Sequence, residues 1–336
     1  MHIPDNYLSP ASCAVMGAAM VPVWALSIRK LRTGFEKTRL PLLGIGAAFS
    51  FLIMMFNIPL PGGTTGHAVG ACLVAVLLGP WAACISVSVA LLIQALLFGD
   101  GGILAFGANC FNMAFVLPFF GFYAYRVLGA GARTARGGLI GLGLASYLAL
   151  NLAALCAAIE FGLQPLVARG VGGAPLYCPY PLAISIPAMV LPHLLVLGFV
   201  EAFFTAGIFA FIRKAAPGLI VRDRPPGGRA IQGLILGLIG LSPLGLLATG
   251  KAWGEWSPEE LRSVVTGGKA LSSLPAGMEG GWSFGSLFPG YEVSGLPPWL
   301  GYLLSALAGV SLLVIVFKLL GAAKGGSGGA GPEAPS

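Results

Sequence analysis

The sequence predicts an all-α polytopic membrane protein, a seven-helix unit followed by a two-helix transmembrane hairpin. Three observations carry that reading. Mean hydropathy is +0.88, and only 9% of the 336 residues are charged, against about a quarter in soluble domains. Weakly charged apolar runs recur along the chain, each near the ~20 residues that cross a bilayer core. The basic residues gather in a few clusters between those runs. The 51 glycines and 25 prolines lie mostly inside apolar runs, where small residues allow helices to pack closely.

The elements follow in order. No Lys or Arg precedes the first apolar run, as a secretory signal requires. Ser9-Pro10 reads as an N-cap and first helical position, which starts a span at 11–28. Further spans are predicted at 40–58, 67–79, 81–98, 108–127, 137–160, 182–212, 230–249 and 298–320. Gly79-Pro80 separates the short third span from the fourth. Residues 1–220 make the seven-span unit, and RDRPPGGR within 221–229 is a polar linker. The hairpin occupies 230–320 around a loop at 250–297, too long for a plain connection. Residues 321–336 are a tail disordered by composition.

Charge sets the orientation. With the N-terminus outside, fifteen of the 19 basic residues face inward, among them Arg29, Lys30, Arg32, Lys37, Arg39, Arg126, Arg213, Lys214, Arg222, Arg224 and Lys324. The positive-inside rule therefore predicts an outer N-terminus and an inner C-terminus. It also accounts for the net charge of +7 without a nucleic-acid partner. The acids Asp5, Asp100, Glu160, Glu255, Glu259, Glu260, Glu279 and Glu292 fall on or near the outer face, which suits cations.

Much chemistry is absent. GLLATGKA reads G-x4-G-K, but Ala252 stands where a P-loop needs Ser or Thr, and the segment leaves an apolar span. The chain is therefore not expected to hydrolyse ATP. HExxH and GxSxG do not occur. The six cysteines are scattered without a CxxC and read as packing residues.

The opening MHIPDNYLSP is the most specific stretch. Only three histidines occur, His2, His67 and His193. A large second residue favours retention of Met1. The Met1 amine, the His2 backbone nitrogen and His2 Nδ1 can then close a five- and a six-membered chelate ring on one metal. Such a planar set suits Ni(II) or Cu(II), and less readily Co(II). A fourth donor is required, and His67, in NIPLPGGTTGHAVGA, is the better candidate. Asp5 and Asn6 supply turn chemistry behind the site, and Pro4 stiffens it.

With MHIPDNYLSP, MMFNIPLPGGTTGHAVGA, LIQALLFGDGGILAFGANCFNMA and AWGEWSPEEL on the page, the chain resembles the nickel/cobalt transporters of the energy-coupling-factor (ECF) class. It looks like their NikM/CbiM-type substrate-binding subunit fused to the small N subunit, a NikMN-type chain, over about residues 1–320. The resemblance implies a multi-pass protein of the bacterial cytoplasmic membrane that captures Ni(II) or Co(II) as a substrate-binding component. It implies ligands Met1, His2 and His67, and separate partners: a transmembrane T subunit and two ATPase subunits. Asn6 departs from the glycine common in the family; Asn tolerates positive φ, so the turn is expected to survive. Gln94, Asp100, Asn109 and Asn112 are candidates for groups behind the ligands or at the mouth. His193 and Glu201, inside the seventh span, are secondary candidates. Their spacing is roughly 12 Å along a helix, so one ion cannot bridge them. A cobalt-specific uptake component for cobalamin synthesis is the nearest alternative. A membrane metalloenzyme and an assembly or sensor protein are more distant ones.

Overall fold

The computed structural model describes residues 1–34, 39–61, 63–220, 228–263, 265–266, 269–270 and 274–326. The readings made for 221–227 of the linker, 327–336 of the tail, and Lys37, Arg222 and Arg224 lie outside the described residues, as do the side chains of Lys324 and Glu259.

The protein is all-α and polytopic. Among the described residues seven helices are long and apolar enough to cross a membrane. The order is α1 (Pro10–Gly34), α2 (Leu40–Met54), the strands β1 (Ile58–Leu60) and β2 (Thr64–Gly66), α3 (Ala71–Leu78), α4 (Pro80–Phe98), α5 (Phe106–Leu128), α6 (Ala135–Val167), α7 (Leu182–Ala215), α8 (Gly228–Leu247) and α9 (Pro298–Gly321). Ser9 caps α1 as expected: its Oγ accepts from Ser12 N at 3.2 Å. Large apolar side chains such as Val127, Leu195, Phe199 and Phe203 are left exposed on the outside of the bundle, as lipid-facing residues are.

Two of the nine predicted spans differ. Segment 40–58 is helical only over the 15 residues Leu40–Met54, because β1 begins at Ile58 and pairs antiparallel with β2. Segment 67–79 is helical only from Ala71. The backbone N–H groups of Val69 and Gly70 are committed to the Glu201 carboxylate, and Gly70 sits at φ +71°. The chain is therefore non-helical through 67–70. Residues 67–70 are all buried, where non-helical backbone has to find its hydrogen-bond partners within the protein.

Three long helices contain a π-helical turn, at Gln94–Phe98, Phe111–Val116 and His193–Leu197. Each re-aims one polar side chain named above, since the extra residue rotates the turn off the regular helical face.

The hairpin docks on the first unit through small residues. Gly44 of α2 lies against Phe317 of α9, and Gly309 of α9 takes the ring of Phe51. Tyr302 Oη donates to Met55 O at 2.7 Å. The connection between α8 and α9 crosses the end of the bundle that carries the chain start. Thr65 N donates to Lys251 O at 3.2 Å, Tyr7 Oη to Trp256 O at 2.8 Å, Asn6 Nδ2 to Trp282 O at 2.8 Å, and Phe288 N to Leu97 O at 2.7 Å.

Candidate functional site

The first residues are packed inside the protein: Met1, His2 and Ile3 are 3%, 1% and 0% exposed. An extended segment with no helix or sheet of its own needs side chains to satisfy its backbone. Asn109 does this for Ile3, accepting from its N–H at 2.7 Å and donating to its carbonyl at 3.0 Å. Gly102 N donates to the same carbonyl at 2.8 Å. The Asp5 carboxylate accepts from Ile103 N at 3.0 Å and Leu104 N at 2.7 Å. Asn6 takes φ +67°, the left-handed turn that its side chain tolerates. The two glycines of GDGG that follow Asp100 make room for this segment. Gly101, at φ +84°, lies against the His2 ring, and a Cβ at Gly102 would fall on the Asp5 backbone nitrogen.

His67 follows β2 and is 5% exposed. Its Nδ1 lies 3.0 Å from Ala68 O. A carbonyl can face only a donor, so Nδ1 carries the hydrogen and Nε2 presents its lone pair. Segment 67–70 is held from both sides. Ser50 Oγ donates to Val69 O at 2.6 Å, and Glu201, fully buried on α7, accepts from Val69 N at 2.8 Å and Gly70 N at 3.1 Å.

The two imidazoles meet. His2 Nδ1 stands 3.1 Å from His67 Nε2 and 3.3 Å from Asp100 Oδ1. The Met1 amine lies 3.5 Å from Glu255 Oε1, and that carboxylate also faces the His2 backbone N–H. Burial, reinforced by the charge of the Met1 amine, pushes the His2 imidazole down to about 3. Burial, then the neighbouring His2 and the amine, push His67 down to about 3 as well. Both rings are thus neutral near pH 7, the form that ligates metals. Burial raises the Glu255 carboxyl above the usual range, against the pull of the amine.

The other sequence candidates separate. Gln94 and Asp100 stand beside His2 and share a network with Tyr291. Asn109 holds the Ile3 backbone. Asn112 is not at the site: its Nδ2 donates to Glu160 Oε2 at 2.8 Å, because the π turn at 111–116 aims it at α6. Glu160 is thus engaged between helices and is not a free acid of the mouth. His193 lines a small cavity with Met1, Thr65, Gly66 and Trp253, and its Nδ1 donates to Met189 O at 2.7 Å. Glu201 reaches the site only through backbone.

Sequence reasoning did not assign Glu255 or Tyr291 to the site. Glu255 lies in the quoted AWGEWSPEEL, where an acid between two tryptophans is the only signal. Tyr291 has none, since its contact with Gln94 spans 197 positions. Among the described residues no three His, Cys, Asp or Glu side chains form a metal cluster. The Met1 amine and the His2 backbone N–H lie buried beside the two imidazoles.

Fold and site together define a multi-pass α-helical membrane protein with a buried imidazole pair at one end of its bundle. The chain belongs to the family described as "Cobalt uptake substrate-specific transmembrane region", which matches residues 2–219; a PDGLE domain matches 228–324. A relative from Lactiplantibacillus plantarum, named "Probable fused nickel transport protein LarMN", is 51% identical over 95% of this chain and 97% of its own length. The "Fused nickel transport protein NikMN" of Rhodobacter capsulatus is 49% identical over 94% of this chain and 95% of its own. A crystal structure of a truncated transition metal transporter, 53% identical, superposes with a TM-score of 0.60 over 64% of this chain and 99% of that one. The chain is therefore a membrane transport protein.

Proposed function

We propose that the chain is the substrate-binding component of an ECF-type importer and captures Ni(II), held by the Met1 amine, the His2 backbone nitrogen, His2 Nδ1 and His67 Nε2. One observation carries the reading: two buried neutral imidazoles face each other at 3.1 Å beside the buried chain terminus. Three of the donors belong to one chelate, and His67 completes four nitrogens. Four nitrogens in a plane favour Ni(II) over Zn(II), which prefers a tetrahedron. The carboxylates of Asp100 and Glu255 next to these nitrogens favour a divalent cation by charge.

Nickel in the names of the two relatives supports the metal. The family description names cobalt, and Co(II) is the second substrate of this reading. Transport against a gradient needs an energy source. GLLATGKA lies where α8 ends rather than between a strand and a helix, and Lys251 pairs with Glu260 at 2.8 Å instead of waiting for a phosphate. Separate ATPase subunits and a transmembrane T subunit would therefore drive release to the cytoplasm. The N-terminus would face outward, in the bacterial cytoplasmic membrane, and the C-terminal hairpin would support loading over the site.

The test is metal content by mass spectrometry. Native protein and a version extended by four Ala before Met1, long enough that the new amine cannot close chelate rings with His2, are equilibrated with equal nickel, cobalt, copper and zinc. The native form is expected to retain one nickel or cobalt and the extended form none, since extension replaces the amine by an amide. Equal binding by both forms would remove the terminal chelate.

A further inference from the structure

Between α2, α8 and α9 runs a groove of about 440 Å³. Ile45 of α2, Leu236 of α8, and Val310 and Val314 of α9 are among its walls. Its lining carries two polar side chains, Gln232 and Lys318. Gln232 lies near the start of α8 and Lys318 near the end of α9. The two helices are antiparallel, so both groups stand at the same end of the groove. That end is the one away from the imidazole pair, since α9 begins beside Met55, where Tyr302 donates to the Met55 carbonyl, and runs away from it. Arg229 precedes Gln232 by three positions, one turn nearer the mouth on the same face of α8. Arg229 and Lys318 are both exposed. Among the described residues neither is paired with a carboxylate.

We propose that this groove binds an anionic glycerophospholipid of one leaflet, with a hydrocarbon chain between α2, α8 and α9 and its phosphate at Lys318 and Arg229. Length, width and charge select that occupant. From Lys318 back to Leu307, the last groove residue on α9, the helix rises about 16 Å. A bilayer core is about 30 Å thick, so one leaflet supplies about 15 Å of hydrocarbon. The groove matches one leaflet, whereas a partner's transmembrane helix would need a track along the whole core. A helix about 10 Å across would take roughly 1,200 Å³ over those 16 Å. The groove holds about 440 Å³, which suits a single hydrocarbon chain. Its aliphatic walls offer that chain close dispersion contacts. Two basic groups and an amide at the headgroup end suit a phosphate, as basic pockets between transmembrane helices suit anionic lipids. The lipid is then a third body in the docking of the hairpin, in contact with α2, α8 and α9 at once. This assignment is independent of the metal reading.

The test is native mass spectrometry of the full chain in detergent, titrated with phosphatidylglycerol and, separately, with phosphatidylcholine of the same chains. The parent is expected to retain one phosphatidylglycerol about thirtyfold more tightly than phosphatidylcholine, about fivefold for each basic group beside an anionic lipid. In Arg229→Gln/Lys318→Gln that preference is expected to vanish; both side chains are exposed, so their replacement leaves the packing in place. In Val314→Trp, which fills the groove, retention of both lipids is expected to fall. Equal retention of the two lipids by the parent overturns the proposal and requires no variant. So does a preference for phosphatidylglycerol that is unchanged in the double variant. A dimer that excludes lipid in the same spectra would assign the groove to a second copy of the chain and overturn it as well.

Discussion

Glu201 lies in the middle of α7, yet it controls a proposed ligand it never touches. Its two carboxylate oxygens accept from Val69 N at 2.8 Å, from Gly70 N at 3.1 Å and from Thr205 Oγ1 at 3.5 Å, and nothing accepts from it. In Glu201→Gln one of those oxygens becomes an NH2 that faces a backbone N–H. One hydrogen bond is lost and a donor is set against a donor, at a cost of about 2 kcal/mol. That cost falls on segment 67–70, whose position sets His67 Nε2 3.1 Å from His2 Nδ1. If only the chain with this segment in place binds metal, about 2 kcal/mol weakens nickel binding by up to roughly thirtyfold. The assay is competition against a chelator on purified protein, with thermal melting of the metal-free form alongside. The visible absorption band of the remaining nickel complex should move to longer wavelength as water replaces the His67 nitrogen. An affinity and a band equal to the parent's, with only the melting temperature lowered, would refute the reasoning and leave Glu201 a stabilising residue.

Gly101 has φ +84°, and a Cβ there would lie 3.2 Å from His2 Cδ2 and 3.1 Å from Asn109 Nδ2. Gly101→Ala is expected to cost about 1–2 kcal/mol of stability from the left-handed backbone and to lower metal affinity more than Ala at the open position Gly63; the same competition titration checks it. The imidazoles give a pH dependence. Unfolded His2 and His67 take up protons below the ordinary 6.5, whereas in the folded protein both stay neutral down to about 3. Folding stability of the metal-free protein therefore falls as pH drops from 6.5 toward 3, by at most about 1.4 kcal/mol per imidazole per pH unit. Melting temperatures measured between about pH 7 and pH 5 should decline, and the slope should be smaller in His67→Gln.

Much of this protein is readable from local pattern. Bilayer crossing requires long apolar runs, so the positions of α1 and α4–α9 are written in hydropathy alone. The cap at Ser9, the left-handed turn at Asn6 and the glycines beside Asp100 are local backbone chemistry. The rarity of histidine and the placement of His2 at the chain start single out a chelate before any fold is known. What tertiary structure alone decides is which distant groups meet it. Hydropathy over 67–79 does not show that the helix begins only at Ala71, because the cause is a carboxylate 131 positions away from Gly70. The π turns that bring Gln94 to His2 and turn Asn112 toward Glu160 depend on one extra residue in a helix whose composition is unchanged. Glu255 at the terminal amine and Tyr291 on Gln94 come from a different unit of the chain, through contacts 254 and 197 positions apart. Periodicity records which face of a segment is apolar. It does not record which partner satisfies a buried polar atom, and in this protein those partners form the candidate site.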